Sequence, residues 1–179
     1  MAYNMKDVFY LNTSLDISST GATAATLDLS SYVDPIARNK SKGTGLAIYK
    51  VFMDICDDDG SSPVLAASTG QFRAGLLSQS GIPSGSFTIA NDTLNAASDL
   101  MIAGVDYAAG GTAAGDPAPH VFVEPSTEVP YVVVRDQVVL VANVMTAMSP
   151  GAAIKVRIEC AQVTLDQSTL NQLLRTQTV

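Results

Sequence analysis

Residues 138–160 read VVLVANVMTAMSPGAAIKVRIEC, and this stretch decides the fold class of the chain. In residues 154–160 every second residue is apolar and every residue between is charged. This period of two predicts a strand with one buried face and one solvated face. Residues 138–148 are apolar at nearly every position, which predicts a strand covered on both faces. Ser149-Pro150-Gly151 predicts the turn between the two.

A second clear strand is predicted over residues 46–56, LAIYKVFMDIC, where one face is wholly apolar and the other carries two charges. Shorter strands are predicted over residues 7–12, 26–30, 64–67, 71–77, 87–90, 120–124 and 131–135. The eight to ten short strands are separated by turn signals at a spacing of roughly 8–12 residues. This pattern favours an all-β sandwich or barrel.

Three short helices and one long loop complete the prediction. Asp34-Pro35 is typical of a helix start, since Asp caps and Pro takes the first helical position. Residues 93–103 carry apolar side chains at helical spacing after the caps Asn91 and Asp92. Residues 104–119 predict a long Gly/Ala-rich loop. Asp166 is expected to cap a C-terminal helix with Leu170, Leu173 and Leu174 on one side.

The domain organisation predicted from these elements has three parts. Residues 1–26 form an extended N-terminal arm, residues 27–165 form the sandwich, and residues 166–179 form the C-terminal helix and tail. The chain length of 179 residues suits one domain that buries a core without disulfides or metals.

The composition restricts the function classes. The formal net charge is -7, and 15% of residues are charged, with no cluster of Lys and Arg, so we expect no direct nucleic-acid binding. The 47% hydrophobic content excludes a disordered chain. Ala, Gly, Ser and Thr make up 68 of the 179 residues, and a surface of such small groups costs little to desolvate. Two interpretations remain, packing against neighbouring subunits or an ordinary β-protein with Ser/Thr-rich loops.

The sequence contains no recognisable set of catalytic residues. His120 is the only histidine, so a multi-histidine metal site is excluded, and any Ser-His-Asp triad would depend on it. No P-loop, G-x-G-x-x-G, C-x-x-C or G-x-S-x-G sequence occurs, so no cofactor and no enzymatic activity are expected. Asp57, Asp58 and Asp59 are the one metal candidate: they offer hard oxygens for Ca²⁺ without the spacing of an EF-hand. The alternative is a solvated turn between strands.

Compartment signals point to synthesis in a cytosol. No leader-like apolar segment follows Met1, and no run of 18 apolar residues occurs. Cys56 and Cys160 are then expected to be buried and reduced, although their spacing leaves a disulfide open.

The order of these features resembles the single jelly-roll capsid proteins of tailless icosahedral viruses. The residues that carry the resemblance are the arm at 1–26, the short helix YVDPIAR at 32–38, and GLAIYKV at 45–51 opening a long strand. Small-residue loops between strands and a strand-rich end before a polar tail add to it. The resemblance implies an antiparallel jelly roll of about eight strands and a major capsid protein that self-assembles into an icosahedral shell.

The resemblance also implies partners and a location. Copies of the chain itself come first, with a second capsid protein and an underlying membrane as further partners, and with assembly in the host cytoplasm and residence in the virion. One departure bears on this: Lys6 is the only basic residue among the first 37, whereas many small capsids carry a basic arm that binds the genome. A phage tail or baseplate component, a carbohydrate-binding sandwich, and an enzyme with a concealed site remain as alternatives.

Overall fold

The computed structural model describes residues 7–34, 42–57, 69–78, 100–109, 120–149 and 151–177. Its secondary structure is almost entirely β. The strands are β1 (Val8–Asp16), β2 (Gly21–Asp28), β3 (Lys42–Asp57), β4 (Thr69–Leu77), β5 (Met101–Ala109), β6 (His120–Val123), β7 (Tyr131–Val133), β8 (Gln137–Ser149) and β9 (Ala152–Asp166). One helix, α1 (Gln167–Thr176), follows β9 directly.

The strands form two antiparallel sheets, and the chain changes sheet at every connection except those from β4 to β5 and from β5 to β6. Sheet A has the order β1-β9-β3-β7 and sheet B has the order β2-β8-β4-β5-β6. Without the four-residue strand β6 at its edge, sheet B also has four strands. Eight antiparallel strands in two sheets, joined by such alternating crossovers, are a jelly roll. The predicted fold class is therefore confirmed.

The core lies between the two sheets. Sheet B contributes side chains such as Phe72 and Leu140, and sheet A contributes Ile154 and Ile158. These four side chains are at most 1% exposed. Burying one Leu, Ile or Phe side chain stabilises a fold by about 1.5–3 kcal/mol. The consecutive strands β8 and β9 lie in different sheets, which is why their sequence determines both halves of the core.

The prediction for residues 138–148 is confirmed over its first half. Residues 138–142 are buried continuously, and β8 is paired on both sides, by β2 and by β4. Residues 145–147 are exposed, so the second half of the strand is not covered on both faces.

The predicted strand at residues 46–56 is present, but its faces are not those expected from alternation. A β-bulge falls between Ile48 and Lys50, where the register with β9 shifts by one residue. Leu46 and Ile48 therefore point into the core before the bulge, and Ile55 does so after it. One extra residue reverses which side chains face inward, so a single period across the whole strand was wrong.

The start of the chain differs from the prediction of an extended arm over residues 1–26. β1 pairs along its whole length with β9, and β2 pairs along its whole length with β8. The sandwich therefore includes residues well before 27. Residues 13–16 and 21–26 are rich in Ser, Thr and Ala and lack a strong apolar alternation, and pairing with the apolar strands β9 and β8, respectively, is what makes them strands.

A further correction concerns β5. Strand β5 begins at Met101, so the last residues of the helix predicted over 93–103 are extended, as are residues 104–109 of the predicted loop. Residues 101–109 pair with β4, and that tertiary pairing overrides their helical spacing. Asp34 forms an isolated bridge with Thr44, and the residues of the helix predicted to follow it lie outside the described residues. The predictions for residues 35–38, 64–67, 87–90, 91–99 and 110–119 lie outside the described residues.

The C-terminal helix is confirmed together with its cap. The Asp166 side chain accepts a hydrogen bond from the backbone N–H of Thr169 at 2.7 Å, as an N-cap does. Leu170 is fully buried and anchors the helix over Gly43, where any Cβ would collide with it.

Candidate assembly surfaces

The four sheet edges differ in length and protection. β1 and β2 are nine and eight residues long, each ends its sheet, and the two strands contact each other. The opposite edges are β7 and β6, which have three and four residues. Short edges offer few unpaired backbone groups, whereas long edges are templates for pairing with another chain. The side of the sandwich at β1 and β2 is therefore the open one among the described strands.

β2 has none of the devices that normally protect a long edge. Its sequence, GATAATLD, has no proline and no charge before Asp28, and its register with β8 continues without a bulge. Ala22, Ala24 and Thr26 are exposed on its outer face. Natural edges use lysine, proline or bulges to prevent pairing with other chains. The β2 edge is chemically suited to strand addition.

The β7 edge is closed by Gln177, the residue that follows α1. The side-chain amide donates to the carbonyl of Val132 at 2.7 Å and accepts from the N–H of Val134 at 3.2 Å. Gln177 is 4% exposed. The edge of sheet A at β7 is thus both short and occupied.

The outer face of sheet A carries an aromatic and charged patch. The Arg157 guanidinium lies 3.9 Å from the centre of the Tyr10 ring, and the Tyr10 hydroxyl donates to Glu159 at 3.4 Å. Phe52 lies opposite Arg157 on the neighbouring strand. Tyr10 and Phe52 are 46% and 49% exposed, which leaves two aromatic rings accessible on either side of a cation.

The outer face of sheet B carries an ion pair that spans three strands. Arg73 Nε lies 2.9 Å from Asp106 Oδ1, but its N–H is not aligned for a hydrogen bond, and the aligned contact is Nη2 to Oδ2 at 3.5 Å. The Arg73 guanidinium also lies 4.3 Å above the Phe122 ring. His120 Nδ1 is 3.8 Å from Asp106 Oδ2, with its side chain 74% exposed. The structure thus places His120 beside a structural ion pair at the end of a sheet.

The remaining residues singled out in the sequence fall in separate places. Asp57 ends β3, while Asp58 and Asp59 lie outside the described residues. Among the residues that the structure describes, no group of three or more His, Cys, Asp or Glu is arranged to hold a metal ion. The Ca²⁺ candidate therefore stays a prediction. Across the same residues, no helix is long and apolar enough to cross a membrane.

Both cysteines are free and buried, which answers the question that their spacing left open. Cys56 lies opposite Ala153 and Cys160 opposite Ile48, at distant points of the ladder between β3 and β9. Burial raises the pKa of the Cys160 thiol to about 12, with the Glu159 carboxylate as a second cause. A protonated, buried thiol is inert, so Cys160 has a packing role.

Gln177 and the β2 edge are the surface features that sequence reasoning missed. A glutamine after a helix has no distinctive pattern, and its role depends on β7 lying beside it. The β2 edge was hidden because an alternation of Ala and Thr is a weak strand signal. Its lack of charge was visible in the sequence, but only the sheet order identifies it as an edge.

Comparisons with known proteins give structural likeness alone. No protein-family model matches the chain, and no curated protein matches it. The VP1 pentamer of Human Polyomavirus 7 is similar at 10% identity and a TM-score of 0.43, over 93% of this chain and 98% of that one. The VP1 pentamer of Human Polyomavirus 6 has 8% identity and a TM-score of 0.47, over 93% and 98% of the two chains. VP1 of Trichodysplasia spinulosa-associated polyomavirus, in complex with GM1 oligosaccharide, has 8% identity and a TM-score of 0.47, over 92% and 96%.

Proposed function

We propose that the chain is a structural shell subunit, a major capsid protein whose copies assemble into an icosahedral shell in the host cytoplasm and remain in the virion. The observation that carries the proposal is the eight-residue β2 edge, which is neutral until Asp28 and has no proline and no bulge along its own length. A protein that works alone in solution is under pressure to blunt such an edge. A subunit that is covered by its neighbours is not.

Two further properties support the same function. The jelly roll is an architecture of viral capsid domains, although lectins and cupins share it. The abundance of Ala, Gly, Ser and Thr gives surfaces that pack closely against a neighbour at low desolvation cost. The proposed role needs no catalysis and no cofactor. A second capsid protein and an underlying membrane remain further proposed partners, and direct binding of the genome is not proposed.

The test measures the mass of the purified protein by light scattering after size exclusion, with electron microscopy of the same fractions. Wild type is expected to form discrete large particles or rings of subunits. Ala24→Lys places a charge on the β2 edge and is expected to reduce assembly at least about tenfold, as an edge lysine does in natural sheets. Ala147→Lys is the matched control: it makes the same change at an exposed position of β8.

The outcomes test two statements separately: that the protein forms a shell, and that the β2 edge makes the contact between subunits. A wild-type protein that is strictly monomeric at every salt and Ca²⁺ concentration contradicts the shell proposal. Assembly that responds equally to both lysine variants contradicts the assignment to β2. Assembly that requires Ca²⁺ and is lost on chelation supports a bridging ion at Asp57, Asp58 and Asp59.

The patch on sheet A favours one second candidate, a carbohydrate-binding module. Sugar rings stack their C–H faces on aromatic side chains while charged groups bond to their hydroxyls, and Tyr10, Phe52 and Arg157 offer both features side by side. Saturation-transfer NMR with a panel of oligosaccharides tests it. Binding that is lost in Phe52→Ala, with the fold intact, supports this function.

A further inference from the structure

The C-terminal helix ends in a side chain that behaves as part of a strand. Gln177 caps α1, with its own N–H donating to the carbonyl of Leu173 at 2.9 Å. Its side-chain amide turns toward β7 and bonds to Val132 and Val134 at 2.7 and 3.2 Å. One residue thus terminates the helix and occupies the edge of sheet A.

The pair of bonds has the pattern of a neighbouring strand. In an extended chain the backbone groups of residues i and i+2 point to the same side. Val132 and Val134 are such a pair, and they flank Val133, which is paired with Leu46 of β3. One residue of a parallel strand donates to the carbonyl before its partner and accepts from the N–H after it. The Gln177 amide makes these two bonds around Val133, and so it fills the position that an added strand would take.

A second residue holds Gln177 in this position. The Arg135 guanidinium donates through Nε and Nη2 to the backbone carbonyl of Gln177, at 3.1 and 2.8 Å. Hydrogen bonds from a charged donor are about twice as strong as neutral ones. Leu170, which is fully buried about two turns earlier in α1, anchors the rest of the helix. The Gln177 amide is therefore held beside β7 by two contacts: Arg135 binds the backbone carbonyl of the same residue, and Leu170 anchors the helix that precedes it.

We propose that Gln177 is an intramolecular edge block: it occupies the strand-pairing position at β7, so that a second copy of this chain cannot add a strand there. An intramolecular amide competes with a second copy at a high effective concentration, which is why a single side chain suffices. This inference concerns the β7 edge, which the proposed assembly through β2 does not use. It therefore does not depend on whether the β2 edge joins the subunits.

The experiment compares two glutamines of the same segment. Gln177→Ala removes the block, and Gln172→Ala makes the same change at an exposed position within α1. In dilute protein, hydrogen exchange of residues 131–134 is expected to speed up about tenfold in Gln177→Ala and to remain unchanged in Gln172→Ala. In concentrated protein, Gln177→Ala is expected to self-associate and to regain protection in residues 131–134.

A third variant separates blocking from general stabilisation. Leu15→Ala opens the core at β1 and lowers stability without touching β7. Self-association by the β7 edge must appear in Gln177→Ala and not in Leu15→Ala. Unchanged exchange in Gln177→Ala overturns the proposal, and so does faster exchange without new association. Equal association in Gln177→Ala and Leu15→Ala overturns it as well, since loss of stability would then explain both.

A Gln177→Glu variant tests separately the hydrogen bond that the Gln177 side chain donates. Gln177→Glu keeps an oxygen that accepts from Val134 but loses the N–H that donates to Val132. A carboxylate facing a carbonyl is repelled, so Gln177→Glu is expected to open the edge as Gln177→Ala does at neutral pH. Wild-type exchange in Gln177→Glu overturns the strand-like pairing.

Discussion

The hydroxyl oxygens of Ser78 and Tyr131 lie 2.6 Å apart and join the two sheets. Ser78 follows β4 of sheet B and is fully buried, whereas Tyr131 begins β7 of sheet A. Ser78 also donates to the carbonyl of Leu100 at 3.3 Å. This polar contact fixes the end of one sheet against the edge of the other, at the same strand that Gln177 covers.

Removing either hydroxyl is expected to destabilise the sandwich. Tyr131→Phe and Ser78→Ala should each lower the free energy of unfolding by about 1 kcal/mol, because each leaves its partner without this hydrogen bond. The double variant should lose less than the sum of the two, which urea unfolding measures as a coupling energy. Strict additivity would show that the two hydroxyls do not interact in solution.

Gly104 is expected to tolerate no side chain. A Cβ at this position of β5 would collide with the Phe122 ring on β6. Gly104→Ala should therefore lower the free energy of unfolding by about 1–3 kcal/mol, the usual cost of overpacking. The same change in a Phe122→Ala background should cost less, since the ring is gone. An equal cost in both backgrounds would place the strain elsewhere.

Acid is expected to loosen α1. The hydrogen bond from the Thr169 backbone holds the pKa of Asp166 below its ordinary value of 3.8. A lowered pKa in the folded protein means that the stabilisation is complete above pH 3.8 and is lost as the pH falls through the folded value. The protection of the amides of residues 167–177 against hydrogen exchange, relative to an unfolded chain at the same pH, should therefore fall only below pH 3.8.

Asp166→Asn provides the control for that acid transition. Asparagine caps a helix as well as aspartate does but carries no titrating charge. The variant should keep α1 and lose this component of the pH dependence. An identical acid profile in both proteins would assign the transition to another group.

The two cysteines are expected to be inert in the native protein. Burial raises the pKa of the Cys160 thiol to about 12, and both thiols are buried, so neither is accessible to a reagent in the folded protein. Ellman's reagent should react with both only at the rate of unfolding. Rapid modification of one thiol in native buffer would contradict this, and Cys160→Ala would identify which thiol reacts.

His120→Ala is expected to leave assembly unchanged and to change the free energy of unfolding by less than about 0.5 kcal/mol. The ring is exposed, and the contact that the variant loses is the one between His120 Nδ1 and Asp106 Oδ2 at 3.8 Å. Light scattering and thermal unfolding measure the two properties. Complete loss of function with the fold preserved would instead favour a catalytic role for His120.

The fold class was predictable because its strongest signals come from the consecutive strands β8 and β9, whose burial follows directly from the period of their side chains. The helix at Asp166 was predictable for a local reason, its cap. The strands at residues 13–16, 21–25 and 101–109 were not, because their side chains are small or ambiguous and their pairing partners lie far away in the sequence. The bulge after Ile48 reverses which side chains of β3 face the core, and the alternation of apolar residues in the sequence does not reveal a bulge.

The sequence by itself determined a mainly β chain of low charge that is rich in small residues. These properties follow from composition and from contacts between near neighbours. Only the tertiary structure decided which strands are edges, and therefore that β2 is open while Gln177 closes β7. A strand is an edge when no strand pairs with one of its sides. Whether a strand has such a partner depends on the order of the strands in the sheet. That order is set by contacts between residues far apart in the sequence, so local sequence patterns do not show it.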